Sequence, residues 1–132
     1  MTKSIPDGWH SVTPRLVAED AAGLVEFLQQ AFGATGDTSV EPFQMKIGDS
    51  IVMVSGTGVR SLMPAFLYLY VDDSDATYER ALKAGAESLE APQDMPYGDR
   101  RAMVKDPGGN IWQIATHNKE RFADFLQQRA QA

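Results

Sequence analysis

Rings and hydroxyls recur with a period of two along Phe66-Leu67-Tyr68-Leu69-Tyr70. In an extended strand successive side chains point to opposite faces, so Phe66, Tyr68 and Tyr70 share one side. Ala65, Leu67, Leu69 and Val71 share the other, where small and aliphatic residues pack well beneath a helix. Three rings carrying two hydroxyls suit a molecule with both planar and polar parts. The most concentrated polar feature is Gly98-Asp99-Arg100-Arg101, preceded by Pro92, Pro96 and Tyr97. Two readings of it stand. Asp99 and Arg100 pair to fix a hairpin between Tyr97 and Ala102, or Arg100 or Arg101 holds an anionic group through directional guanidinium hydrogen bonds.

Two imidazoles are present. His10 follows a Pro6-Asp7-Gly8 turn and reads as a partly exposed residue at a strand entrance, with a functional role as the alternative. His117 follows the last strand and reads as a surface residue or a cap for the final helix, with the same alternative. Cysteine is absent, which removes disulfides, thiolate metal ligands and a thiol nucleophile together. No Ser-His-Asp arrangement, phosphate loop or dinucleotide fingerprint is found; Gly33-Ala34 and Gly56-Thr57-Gly58 are too sparse to form one.

The elements that must position these groups come as a repeat. Val17-Ala18-Glu19-Asp20-Ala21-Ala22 opens a segment ending at Phe32-Gly33-Ala34, and Val71-Asp72-Asp73-Ser74-Asp75-Ala76 opens a similar one ending at Ala84-Gly85-Ala86. Each predicts strand, turn and helix. Leu24, Val25, Leu28, Ala31 and Phe32 recur at helical spacing in the first, and Ala76, Tyr78, Ala81 and Leu82 in the second. Glu19/Asp20 and Asp72/Asp73 supply acidic caps and Gly33 and Gly85 the stops, the second helix being shorter by two residues. After each helix the period changes to two. Phe43–Ile47, a Gly48-Asp49 turn and Ile51–Val54 predict a hairpin, as do Arg101–Lys105, the turn Asp106-Pro107-Gly108-Gly109-Asn110 and Ile111–Ile114. Each half therefore reads βαβββ, module one over about 10–55 and module two over about 64–117. A last amphipathic helix, about 119–130, carries Phe122, Phe125 and Leu126.

A chain of 132 residues with 43% apolar content buries one sizeable core, which predicts a single α+β domain over 1–132. Its formal charge of −6 and scattered basic residues disfavour nucleic acid and membrane surfaces as partners. The start, without a basic stretch followed by an apolar run, and the lack of any long apolar segment predict a soluble, cytoplasmic protein.

The order of these elements, with Thr13-Pro14-Arg15-Leu16-Val17, Ala31-Phe32-Gly33-Ala34, Ile47-Gly48-Asp49-Ser50, Tyr70-Val71-Asp72-Asp73, Gly98-Asp99-Arg100, Asp106–Asn110 and Ala115-Thr116-His117, resembles the vicinal-oxygen-chelate superfamily of glyoxalases, bleomycin-resistance proteins and extradiol dioxygenases, in its PhnB-like branch. The resemblance spans roughly Val12 to His117. It implies that the two βαβββ modules curve mixed sheet around a cleft, with helices outside. It also implies that the superfamily's metal-ligand positions fall at Val12, Met53, Phe66 and Gln113. The repeat agrees, since Val12 and Phe66 each stand five residues before Val17 and Val71, and Met53 and Gln113 two after Ile51 and Ile111. A thioether, two hydrocarbons and one amide make a poor site for the divalent cations used there, so no metal or other cofactor is expected.

The resemblance further places Arg101 and Met103 facing the substrate, with Met45 joining them from module one and Tyr97 on a loop at the cleft mouth. The expected ligand-binding set is then Met45, Met53, Phe66, Tyr68, Tyr70, Tyr97, Arg101, Met103 and Gln113, with no catalytic residue assigned. The function it implies is a metal-independent, antibiotic-resistance-like binding protein that sequesters a planar or aromatic compound, working as a homodimer. Two other classes stay open: a lyase, isomerase or dioxygenase-type enzyme using His10 or a metal-free site, and a regulatory domain whose cleft is filled by its own side chains.

Overall fold

The computed structural model describes residues 4–58 and 60–131. Module one runs β1 (Arg15–Val17), α1 (Ala21–Phe32), β2 (Thr35–Asp37), β3 (Phe43–Ile47) and β4 (Ser50–Ser55). Module two runs β5 (Phe66–Tyr70), α2 (Ser74–Lys83), β6 (Glu87–Asp94), β7 (Arg100–Lys105) and β8 (Ile111–Thr116), and α3 (Lys119–Gln131) follows. Each module folds into its own four-stranded mixed sheet, in the orders β1-β4-β3-β2 and β5-β8-β7-β6. In each sheet the first strand lies parallel to the last and the remaining pairs are antiparallel. The repeat in the sequence is thus a repeat in topology, with β5 and β1 at equivalent edges.

Local chemistry sets the helix ends where the sequence signals them. The Asp20 carboxylate accepts from the Gly23 amide at 2.9 Å, and Asp73 accepts from Ala76 at 3.1 Å, each satisfying a donor left over in a first turn. Gly33 closes α1 in the left-handed region at φ 67°, which a residue without Cβ adopts freely. The helices span 12 and 10 residues. Both cover the same side of the structure, where Arg80 of α2 donates to the Ala31 carbonyl of α1. Phe32 of α1 meets Trp112 of β8 with ring centroids 4.8 Å apart, so one apolar core serves both modules.

The β7–β8 turn is organised by one buried carboxylate. Asp106 accepts from the amides of Gly108 and Asn110 and from the Trp112 indole N–H at 2.8 Å. That last bond ties the turn to the core ring against which Phe32 packs. Among the described residues no helix is long and apolar enough to cross a membrane.

Two expectations are corrected here. Val12 is not an inward position of the first strand, because β1 begins only at Arg15 and Val12 stands 83% exposed. Pro14, which has no N–H to give, precedes the strand and offers its carbonyl to Met53 instead. Met45 does not face the open side of its sheet. It lies opposite Val52 in the register and is fully buried beneath α1, while Gln44 and Lys46 point outward.

Candidate functional site

Module two leaves one face of its sheet without a covering helix. Phe66, Tyr68 and Tyr70 project there from β5, 66%, 39% and 59% exposed, while Leu67 and Leu69 turn toward the core. The register sets Tyr68 beside Gln113 of β8, and Gln113 beside Met103 of β7. Arg101, two residues before Met103, shares that face. The parity expected for these residues therefore holds. Met53, half-buried on β4, belongs to the other sheet, on the side opposite Val52 and Val54.

A groove of about 790 Å³ runs along the free edge of β5. Tyr68 and Tyr70 form one wall, the Gly48–Asp49 turn of module one another, and Phe32, Thr77 and Arg80 close it on the helix side. Of the expected binding set, Tyr68 and Tyr70 line this groove; Phe66, Arg101, Met103 and Gln113 lie on the sheet face beyond it, Tyr97 in the β6–β7 turn, Met53 on the other sheet and Met45 in the core.

Against the hydroxyl tips of Tyr68 and Tyr70 sits a residue whose role the sequence did not reveal. Asp99, in the β6–β7 turn, is 2% exposed. Its Oδ2 accepts from the hydroxyls of Tyr68 at 2.6 Å and Tyr70 at 2.9 Å, and its Oδ1 lies 2.9 Å from His117 Nδ1. Burial pushes the Asp99 pKa up, but the hydrogen bonds from Tyr68, His117 and Tyr70 outweigh it and hold the group below the ordinary carboxylate range. Burial first, and then the bonds to Asp99, push both tyrosines above the ordinary phenol value. The rings are thus neutral donors clamped on a fixed anion.

The expected Asp99–Arg100 pair does not form. Arg100 reaches across to Asp75 of α2 at 2.7 Å and to Asp94 at 3.3 Å. Arg101 instead binds Glu90 at 2.6 Å and the Tyr97 hydroxyl at 3.3 Å. Tyr97 in turn lies 3.3 Å from the Tyr68 hydroxyl, so Glu90, Arg101, Tyr97, Tyr68, Asp99 and His117 form one connected polar network. His10 contacts the Asp49 carbonyl at 2.9 Å, at the β3–β4 turn. His117 lies against Tyr70 and Phe122 with ring centroids 6.3 and 5.4 Å away.

The four superfamily ligand positions, Val12, Met53, Phe66 and Gln113, offer neither imidazole nor carboxylate, and this donor set does not fit a catalytic divalent metal. Among the described residues no three of His, Cys, Asp and Glu gather closely enough to hold one.

Two βαβββ modules, each closing a four-stranded mixed sheet, define the fold. Residues 10–114 match the sequence profile of the Glyoxalase/Bleomycin resistance protein/Dioxygenase superfamily, and the chain belongs to that superfamily. Mb0911c, an uncharacterized protein of Mycobacterium bovis, is 29% identical over 138 aligned positions covering 89% of this chain and 90% of its own. Two crystal structures share the fold. TioX from Micromonospora sp. ML1 superposes with a TM-score of 0.69 at 24% identity, over 83% of this chain and 99% of its own. A glyoxalase/bleomycin resistance protein/dioxygenase family enzyme from Burkholderia phytofirmans PsJN gives 0.68 at 22% identity, over 80% and 97%.

Proposed function

We propose that this protein binds a planar or aromatic small molecule without a metal and sequesters it, as a homodimer, in the manner of an antibiotic-resistance protein of the PhnB-like branch. The observation that carries the reading is the Phe66–Tyr68–Tyr70 row. Large rings exposed side by side on one sheet face are costly in water, and the Tyr68 and Tyr70 hydroxyls are held by Asp99, so these two rings meet a ligand already ordered. The groove beside them has the size of a small-molecule site. Gln113 and Met103 on adjacent strands would extend the contact, the thioether adapting to ligand shape.

The test is a fluorescence titration of chelator-treated protein against planar aromatic antibiotics, repeated with Zn²⁺, Ni²⁺ or Mn²⁺ added. Saturable binding indifferent to metal is expected. Phe66→Ala should weaken it about tenfold, the equivalent of roughly 1.4 kcal/mol of lost ring contact. Binding that appears only with metal would sink the reading.

A further inference from the structure

We propose that His117 and Asp99 form a proton-accepting dyad for the hydroxyl of a phenolic ligand seated against Tyr70. The proposal rests on the aromatic-binding reading above and names the chemistry within it. The Asp99 carboxylate already takes hydrogens from Tyr68 and Tyr70, and as an ion it can only accept. Its 2.9 Å contact therefore fixes the proton of neutral His117 on Nδ1 and leaves Nε2 with an open lone pair. Ring contacts with Tyr70 and Phe122 hold the imidazole in place. Its side chain is 44% exposed, against 3% for Asp99, and it borders a groove of about 350 Å³ with Tyr70, Asp72 and Thr116. A half-exposed imidazole thus lines the groove, oriented through Nδ1 by a buried anion.

The step balances without another reactant. The phenol O–H bond breaks, its electron pair stays on oxygen and the proton passes to Nε2, leaving a phenolate beside an imidazolium. The imidazolium so formed keeps its Nδ1 contact with the Asp99 carboxylate. Tyr68 and Tyr70, the other titratable groups of β5 here, remain donors to Asp99. On α3, whose first turn also carries Lys119 and Glu120, Arg121 is spent on the carbonyls of Met95 and Gly98 and the Asp94 carboxylate. An ordinary phenol, with a pKa of about 10, holds its proton more tightly than imidazolium at about 6.5, so the step selects phenols made acidic by electron-withdrawing groups and leaves aliphatic alcohols out of reach. A phenol also brings the ring that matches Tyr70.

The experiment uses 4-nitrophenol, whose ionised form is yellow, at pH 7, above the ordinary imidazole value of about 6.5 and just below its own pKa, with 4-nitroanisole as the isostere lacking the hydroxyl. Added protein should raise the yellow band saturably, and His117→Gln should reduce that rise at least tenfold while retaining binding of 4-nitroanisole. Nitrogen NMR of the wild-type protein should find the His117 proton on Nδ1. A proton on Nε2, or a yellow band undiminished in His117→Gln, overturns the proposal. Binding of both probes without a band also overturns it and leaves the aromatic-binding reading intact; failure of both to bind overturns it as well, and the antibiotic titration then decides the aromatic-binding reading on its own.

Discussion

Asp99 is a charge taken almost wholly out of water, tolerable because three donors converge on it. Its folded-state pKa lies below the unfolded value of about 3.9, so the stability it contributes is complete above about pH 4 and drains away as pH falls through the folded value. Asp99→Asn keeps the volume and removes the charge. Urea denaturation should show the variant less stable at pH 7 by roughly 1.5–3 kcal/mol, the worth of hydrogen bonds to a charged group. The gap should narrow as pH falls below about 4 and the wild-type carboxylate protonates. A gap that stays constant over that range would mean the charge is not what the site uses. Sequence alone could not show this. The donors Tyr68 and Tyr70 stand 31 and 29 residues before Asp99, and the adjacent Arg100 suggested a local pair when its own partners are Asp75 and Asp94. What was readable was parity, because alternation along β5 follows from strand geometry; the same alternation along β3 sets Met45 with Phe43 and Ile47, opposite Gln44 and Lys46, and the cleft-facing expectation for Met45 ran against it.

At the scale of elements the repeat was readable from caps, stops and period, down to the two-residue difference between α1 and α2. The attachment of α3 was not. Its apolar pattern predicts a helix, yet none of its residues is buried, and it is held chiefly at its first turn. There Arg121 donates to the carbonyls of Met95 at 2.9 Å and Gly98 at 3.3 Å. Gly98 permits the approach: at φ 103°, a Cβ on it would stand 2.7 Å from the Phe122 backbone nitrogen. Nothing in the string Tyr97-Gly98-Asp99 marks a docking point for a helix some twenty residues later. Gly98→Ala therefore faces both an unfavourable backbone conformation, costing of order 1–3 kcal/mol, and a collision with main chain that cannot rotate away. Hydrogen exchange should report faster opening of amides across α3, with α1 protected as before. Unchanged protection in α3 would show that the helix is held by contacts other than this turn.

For the molecule as a whole, surface chemistry sets two opposing terms on the proposed homodimer. Phe66, Tyr70, Met63 and Val12 leave substantial apolar surface in water, each more than half exposed, and contact with a second copy would remove some of it. Against this, each chain carries a formal charge of −6, so two copies repel at long range. Burial of apolar surface is insensitive to moderate salt, while repulsion between exposed charges is screened over about 10 Å at 0.1 M ionic strength. Added salt should therefore tighten association. Sedimentation velocity at neutral pH should find a species of two 14.5 kDa chains, with the dimer fraction rising as sodium chloride is raised from low to physiological ionic strength. A dimer that dissociates with salt would instead be held by ion pairs, and the apolar face would then be free for ligand alone. A chain that stays monomeric at high concentration in both conditions removes the homodimer from the proposal and leaves the groove along β5, which one chain forms by itself, as the place to look for the ligand.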